Sequence, residues 1–235
     1  MSNIKNTLEH LGIIMDGNRR WAEENGFSTF KGHRLGSENV KKILKLCAKK
    51  GIKILTVYAL STENWLRRSK KELNGLMRIL REFMINERKK LDAEGIRINI
   101  LGDPSVFPES LREVIKETVD MLSKNKKFVF NIAINYGGRK EIVRAVKRMV
   151  KKGISLDNID ENLISQNLDT ANQPEPDMII RTGHEKRISN FLIWQGAYSE
   201  FYFPKVFWPE FGEKELDGAI AEYNGRNRRF GGNNY

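Results

Sequence analysis

Residues 11–21 read Leu11-Gly-Ile-Ile-Met15-Asp-Gly-Asn-Arg-Arg-Trp21, an apolar run that passes without a spacer into an acid, a glycine, an amide and two arginines. A short apolar run bounded by a turn signal reads as a buried strand, and the arrangement recurs. Ile52 to Leu60 leads into Ser61-Thr-Glu-Asn-Trp65, Phe128 to Ile134 into Asn135-Tyr-Gly-Gly-Arg139, and Met178 to Ile180 into Arg181-Thr-Gly-His-Glu-Lys-Arg187. Ile96 to Leu101 is a fifth run. Between the runs, apolar residues fall at helical spacing: Leu73, Leu76, Met77, Leu80, Phe83 and Met84; Leu111, Val114, Ile115, Thr118, Met121 and Leu122; Ile142, Val143, Val146, Met149 and Val150. Strands alternating with helices imply right-handed crossovers, an α/β fold and a mostly parallel sheet covered by helices on both faces. Ligands of such sheets bind beyond the carboxyl ends of the strands, where the four polar segments would line one rim.

The chain has 235 residues, 40% of them apolar, and no linker or internal repeat divides it, so we expect one domain over 1–235 with 1–10 and 233–235 frayed. Lysine and arginine number 41 against 30 acidic residues, and the net charge of +11 favours anionic partners: phosphorylated small molecules, nucleic acid or an acidic membrane surface. The lone cysteine, Cys47, keeps helical spacing with Val40, Ile43 and Leu44 and reads as a core thiol, so no disulfide framework exists. The first ten residues lack a signal-like apolar segment, and no run approaches the roughly 20 residues of a membrane span, which points to a cytoplasmic protein.

The first polar segment offers backbone N–H groups and guanidinium forks to an anion. Asp16 is then out of place unless a hard cation separates it from the ligand, and Mg²⁺ bound by one or two carboxylates plus phosphate oxygens meets that need. An Asp-Gly turn with solvated arginines is the ordinary alternative. Arg181 to Ser189 supplies further guanidinium groups, with Ser189 and Asn190 as capping residues for a following helix, a second anion site. His33 follows Gly32 where it can donate to a phosphate or simply cap a helix. No Gly-x-x-x-x-Gly-Lys, Gly-x-Gly-x-x-Gly or zinc-spaced Cys/His cluster is present, which removes support for nucleotide hydrolysis, dinucleotide binding and structural zinc.

Ile13 to Ala22, Gly32-His33, Tyr58 to Trp65, Asn135 to Arg139, Arg181 to Gln195 and Arg228-Arg-Phe-Gly-Gly232 together resemble the cis-prenyltransferase family, in order along the chain. The resemblance implies a magnesium-dependent enzyme that adds isopentenyl diphosphate to an allylic diphosphate. It implies Asp16 as essential metal ligand, and Gly17, Asn18, Arg19 and Arg20 around the primer diphosphate. Arg181, Arg187, Ile188 and Ser189 would hold isopentenyl diphosphate, with Glu200 as a further metal ligand. Ser61, Thr62, Glu63, Asn64, Trp65 and Arg67 would lie beside the primer, with Asn64 implicated in proton removal. An amide is a poor base, so Asn64 is expected to position a diphosphate oxygen or water instead. Trp21 and Trp65 would shape an apolar wall, and Leu76, Met77, Ile79, Leu80, Phe83 and Met84 a product tunnel. Arg229 and Gly231 match a tail motif that completes the neighbour's site in a homodimer, whose interface would involve Tyr198 to Phe207. Peripheral membrane contact would serve product release.

Three departures stand out: Arg19 where many members have glycine, Arg68 where proline is common, and His184 in place of a second glycine. The family also often has an arginine at the position of Thr29, for which Lys31 is the candidate substitute. A trans-type synthase would be mostly helical with two aspartate-rich motifs, and neither is found. A nucleic-acid binder would place its charge on a basic face with aromatic stacking residues rather than in post-strand loops. A non-catalytic partner subunit would lack Asp16.

Overall fold

The computed structural model describes residues 8–226. Its strands are β1 (His10–Ile14), β2 (Ile54–Ser61), β3 (Ile96–Gly102), β4 (Phe128–Tyr136), β5 (Met178–Arg181) and β6 (Glu200–Tyr202). Its helices are α1 (Asn18–Glu24), α2 (Thr29–Lys49), α3 (Thr62–Arg67), α4 (Lys70–Ala93), α5 (Glu109–Leu122), α6 (Gly138–Lys151), α7 (Glu161–Gln166) and α8 (Glu213–Gly225). The strands form one sheet in the order β3-β4-β2-β1-β5-β6, with every pairing parallel. The four polar segments that end β4, β2, β1 and β5 therefore stand side by side at one end of the sheet. The expected α/β architecture holds.

Alternation along each strand sends side chains to two cores. The larger takes Leu11 and Ile13 of β1 with Leu55, Val57, Phe130 and Ile132, and buries them under α2, α4, α5 and α8. Cys47 sits in it, and burial pushes its thiol up to about 12. The smaller packs Ile14, Tyr58, Ala133, Tyr136 and Ile179 against Phe191 and Leu192. On this second side a polar stripe crosses the strands: Thr56 Oγ1 meets His10 Nε2 at 2.7 Å and accepts from Asn131 Nδ2 at 2.8 Å, while His10 Nδ1 donates to the Pro174 carbonyl at 2.7 Å.

Serine caps open three helices. Ser28, Ser61 and Ser69 accept from the backbone N–H groups of Lys31, Asn64 and Glu72. α1 crosses α2 so closely that a Cβ on Gly32 would stand 2.2 Å from the Asn18 carbonyl oxygen, which only glycine permits.

Some expectations are corrected. Order begins inside the stretch set aside as frayed: Leu8 and His10 are buried, because the Glu9 and His10 N–H groups donate to Asp177 at 2.8 and 2.9 Å. Residues 1–7 and 233–235 lie outside the described residues. Met121 is exposed on α5, and Val143, Val146 and Val150 are exposed on α6, whose buried stripe is Gly138, Glu141, Ala145 and Met149. The buried Glu141 accepts from Tyr136 Oη at 2.5 Å and from Gln195 Nε2, so hydrogen bonding brings a carboxylate inward and turns the valines out. Among the described residues, no helix is long and apolar enough to cross a membrane.

Candidate active site

The rim is organised around Asp16, two residues beyond β1. Gly17 turns the chain into α1 with φ of 104°, and a Cβ there would meet Phe207 at 2.5 Å, so the turn needs glycine. Thr182 fixes the turn from β5, its hydroxyl accepting from the Asp16 N–H at 3.0 Å and donating to the Asp16 carbonyl at 2.7 Å. The Asp16 carboxylate is left between two guanidinium groups, Arg20 Nη2 at 3.2 Å on Oδ1 and Arg181 Nη2 at 2.9 Å on Oδ2. One cation comes from the first expected anion site and the other from the second, so the two sites adjoin.

Arg181 is the buried member of this cluster. Its Nη1 donates to Ser189 Oγ at 2.7 Å and to the Arg187 carbonyl at 2.5 Å, while its Nε is buried without a protein partner. A buried guanidinium N–H left unpaired is costly unless a ligand accepts from it. Arg187 is exposed and pairs with Glu185, and Ile188 packs on the smaller core. The expected helix after Ser189 does not form. Ser189, Asn190 and Leu192 all have positive φ, at 48°, 65° and 43°, and the segment is a series of turns. Asn190 ties this segment to the other loops: its Nδ2 donates to Glu63, its Oδ1 accepts from the Arg139 N–H, and its carbonyl accepts from the Gly138 N–H at 2.7 Å. Tyr58 donates to the Tyr136 carbonyl and stacks on Phe191, with centroids 4.7 Å apart.

Beside this polar cluster opens an apolar cavity of about 120 Å³, with Asn18, His33 and Ala59 on its wall together with Leu76, Met77, Ile79, Leu80 and Phe83 of α4. Met84 is not on the wall; it is buried in the larger core. Asn18 Oδ1 is buried and unpartnered. Trp65 meets Phe107 edge-on at 5.2 Å on the flank of the larger core. Ser61 caps α3, Thr62 is buried, and Asn64 and Arg67 are exposed on that helix. His33 is half-buried and contacts Glu72 Oε1 at 3.1 Å; burial is the main reason its imidazole is held below its ordinary pKa.

Three expected site residues fall elsewhere. Arg19 faces solvent and pairs with Glu23 one helical turn away, so of these two adjacent arginines Arg20 alone reaches Asp16. Trp21 turns outward, stacking on Phe27 and donating from Nε1 to Glu210 at 3.0 Å, and does not line the cavity. Glu200 pairs with Arg226 and lies level with Met178, at the amino end of β5. Asp16 lies past the carboxyl end of β1, where Ile14 pairs with Arg181, so one chain does not bring both carboxylates to one ion. Arg229 and Gly231 lie outside the described residues. No group of three metal-binding side chains occurs among the described residues. Asp16, a hard oxygen donor open to the rim, suits a cation that takes its other ligands from a phosphate.

No site role was expected of Thr182 or Tyr58, and Asn190 was expected only as a helix cap. All three lie inside quoted segments, but their hydrogen bonds join loops far apart in sequence.

The sequence matches the family model for putative undecaprenyl diphosphate synthase over residues 14–231. It is 46% identical over 228 residues to an isoprenyl transferase of Clostridium perfringens, covering 95% of this chain and 90% of that protein. It is also 46% identical over 231 residues to a ditrans,polycis-undecaprenyl-diphosphate synthase ((2E,6E)-farnesyl-diphosphate specific) of Pasteurella multocida, covering 97% and 96%. Among solved structures, lavandulyl diphosphate synthase from Lavandula x intermedia in complex with dimethylallyl diphosphate aligns with a TM-score of 0.90 at 40% identity, covering 95% of this chain and 98% of that one. A probable undecaprenyl diphosphate synthase from Campylobacter jejuni aligns with a TM-score of 0.81 at 32% identity, covering 97% and 100%. With the site's two adjoining arginine-bearing loops beside an apolar cavity, these similarities make the chain a member of the undecaprenyl diphosphate synthase family of cis-prenyltransferases.

Proposed function

We propose that this chain condenses isopentenyl diphosphate onto an allylic primer, farnesyl or geranylgeranyl diphosphate, and makes a long-chain cis-polyprenyl diphosphate, the precursor of a glycan lipid carrier. The observation that carries this reading is the Asp16 carboxylate held between Arg20 and Arg181 beside an apolar cavity. Two diphosphates need two adjoining cationic sites, and a growing prenyl chain needs apolar space.

Arg20, with the Gly17–Asn18 turn, binds the primer diphosphate and stabilises the negative charge that grows as the allylic C–O bond breaks. Arg181, Arg187 and Ser189 hold isopentenyl diphosphate so that its double bond meets the primer's first carbon, and a proton is then lost to leave the cis double bond. Asn64 orients the oxygen that receives this proton. Mg²⁺ held by Asp16 and phosphate oxygens would supply further charge neutralisation for the leaving group. The cavity along α4 is the start of a product tunnel. A homodimer, in which Arg229 and Gly231 reach the partner's site, accords with the exposed Tyr198. A cytoplasmic location with membrane contact for product release accords with a lipid product.

The test is product analysis of the purified chain with Mg²⁺, isopentenyl diphosphate and each allylic primer. Long polyprenyl diphosphates should form, chelator should stop the reaction, and Asp16→Ala should lower turnover by several orders of magnitude without unfolding the protein. Absence of product with every primer would refute the assignment.

A further inference from the structure

α4 presents two unlike faces. One walls the apolar cavity with Leu76, Met77, Leu80 and Phe83. On the other, every exposed residue from 70 to 90 except Asn74 and Asn86 is basic: Lys70, Lys71, Arg78, Arg81, Lys89 and Lys90. Six bases without an acid fall in the range of about four to eight with which a helix holds an anionic lipid surface. The acids of the same stretch are half-buried and already paired, Glu72 with Arg68, Glu82 with Arg34 and Glu87 with Lys41.

α2 packs beside α4 and continues the face. Its Lys42, Lys45 and Lys49 are exposed, and its one exposed acid, Glu38, is paired with Lys41. Lys45 and Lys90 line one groove between the helices, and Lys90 holds the Lys45 ammonium below the ordinary lysine pKa by its close approach and repulsion. Charge so crowded repels itself in the free protein and gains most from a polyanion. Nucleic acid and an anionic membrane both meet that description. Two features favour the membrane. Neither helix exposes an aromatic ring on which bases could stack. Leu66, just before α4, is 74% exposed, an apolar contact of the kind that enters the headgroup boundary.

We propose that the basic face of α4, continued by α2, docks this protein on an anionic phospholipid bilayer, with Leu66 as its apolar contact. The use of that surface rests on the proposed function. The cavity, about 120 Å³, is smaller than the roughly 150 Å³ that holds a benzene ring, so a long prenyl chain needs apolar surroundings beyond it. α4 separates the cavity from the docking face by one helix diameter, about 10 Å, and the bilayer supplies those surroundings on its far side.

The experiment floats the full chain with phosphatidylcholine vesicles that contain or lack phosphatidylglycerol. Wild type should bind only the anionic vesicles and be released as salt rises to about 0.5 M, where screening shortens the reach of charge to about 4 Å. The double variant Arg81→Gln/Lys89→Gln should bind about 25-fold more weakly, roughly fivefold for each charge removed. Its turnover in detergent solution should equal that of wild type, since neither residue lines the cavity or the cleft where α2 and α4 begin. Leu66→Ser should weaken vesicle binding by about tenfold and leave its salt dependence unchanged. Lys124→Gln/Lys126→Gln removes the same charge from the exposed turn after α5 and should bind as wild type does. No binding to anionic vesicles, or an equal loss in the Lys124/Lys126 control, would overturn the assignment. So would tighter binding to duplex DNA than to vesicles at the same ionic strength, lost in Arg81→Gln/Lys89→Gln, which would make the face a nucleic-acid site. Vesicle binding needs no substrate, so it decides the surface even where wild type makes no product, a result that would refute the proposed function alone.

Discussion

Replacing Arg181 by alanine separates a structural from a binding role. The guanidinium makes three bonds, to Asp16 Oδ2 at 2.9 Å, Ser189 Oγ at 2.7 Å and the Arg187 carbonyl at 2.5 Å, and its side chain is 7% exposed. Bonds to a charged group are worth about 1.5–3 kcal/mol each, but the sum overstates the loss here. Ser189 and Arg187 are exposed residues whose acceptors can turn to water, and Asp16 keeps Arg20 at 3.2 Å. Folding stability should therefore fall by only about 2 kcal/mol. A bound phosphate has no such substitute and should lose about 2–3 kcal/mol, a rise of roughly 30- to 150-fold in the isopentenyl diphosphate KM. Urea unfolding gives the first quantity, and steady-state kinetics at saturating primer the second. A variant that unfolds earlier yet keeps its isopentenyl diphosphate KM would show Arg181 to be a brace for the 187–189 segment, and the second anion site would have to be sought elsewhere.

Gly32→Ala places a Cβ 2.2 Å from the Asn18 carbonyl, a backbone atom that moves only with α1. About 3 kcal/mol of stability, or roughly 6–12 °C in Tm, should be lost, and an unchanged calorimetric Tm would refute the close crossing. Burial lowers the His10 imidazole to about 4, so the folded state holds it neutral while the unfolded chain takes up a proton near 6.5. Its contribution is fully present above 6.5 and fades as pH falls toward 4, about 3 kcal/mol in all. His10→Gln should flatten the dependence of urea midpoints on pH over that window, and a parallel curve would exclude His10 as its source. Mixing inactive Gly231→Pro with inactive Asp16→Ala should restore up to about a quarter of wild-type activity if tails act across a two-fold dimer. Heterodimers confirmed by native mass spectrometry but left at background would place the tail's action within its own chain.

What the sequence disclosed follows from how local each signal is. The four apolar runs and their polar sequels needed no tertiary information, because a parallel sheet aligns the carboxyl ends of its strands wherever the crossovers run. β6 escaped because three half-buried residues, Glu200–Tyr202, carry no periodicity. The valines of α6 have a flawless helical period, yet period alone does not say which stripe faces inward, and the buried Glu141 was decided by Tyr136 and Gln195 from elsewhere in the chain. Arg19 and Arg20 are indistinguishable as letters. One turn of helix sends the first to Glu23 and the second to Asp16. Ser189 and Asn190 looked like caps because cap residues also tolerate left-handed backbone, and the structure uses the second property.

The position of β1 inside the sheet has a consequence for biosynthesis. The ribosome makes this strand first and β2 soon after, but its other neighbour, β5, begins only at Met178, and the Asp16–Arg181 pair spans 165 residues. Until then the nascent chain carries an apolar strand with one edge of its backbone unpaired, a template for association with other chains. A contact that spans 165 residues is thus the one that brings the two cationic loops together, so a chain that stalls short of β5 has a half-built sheet and no site at all. Slow translation through residues 62–177 should lengthen that exposure, and the burden on chaperones should fall on this interval rather than on the C-terminal helix.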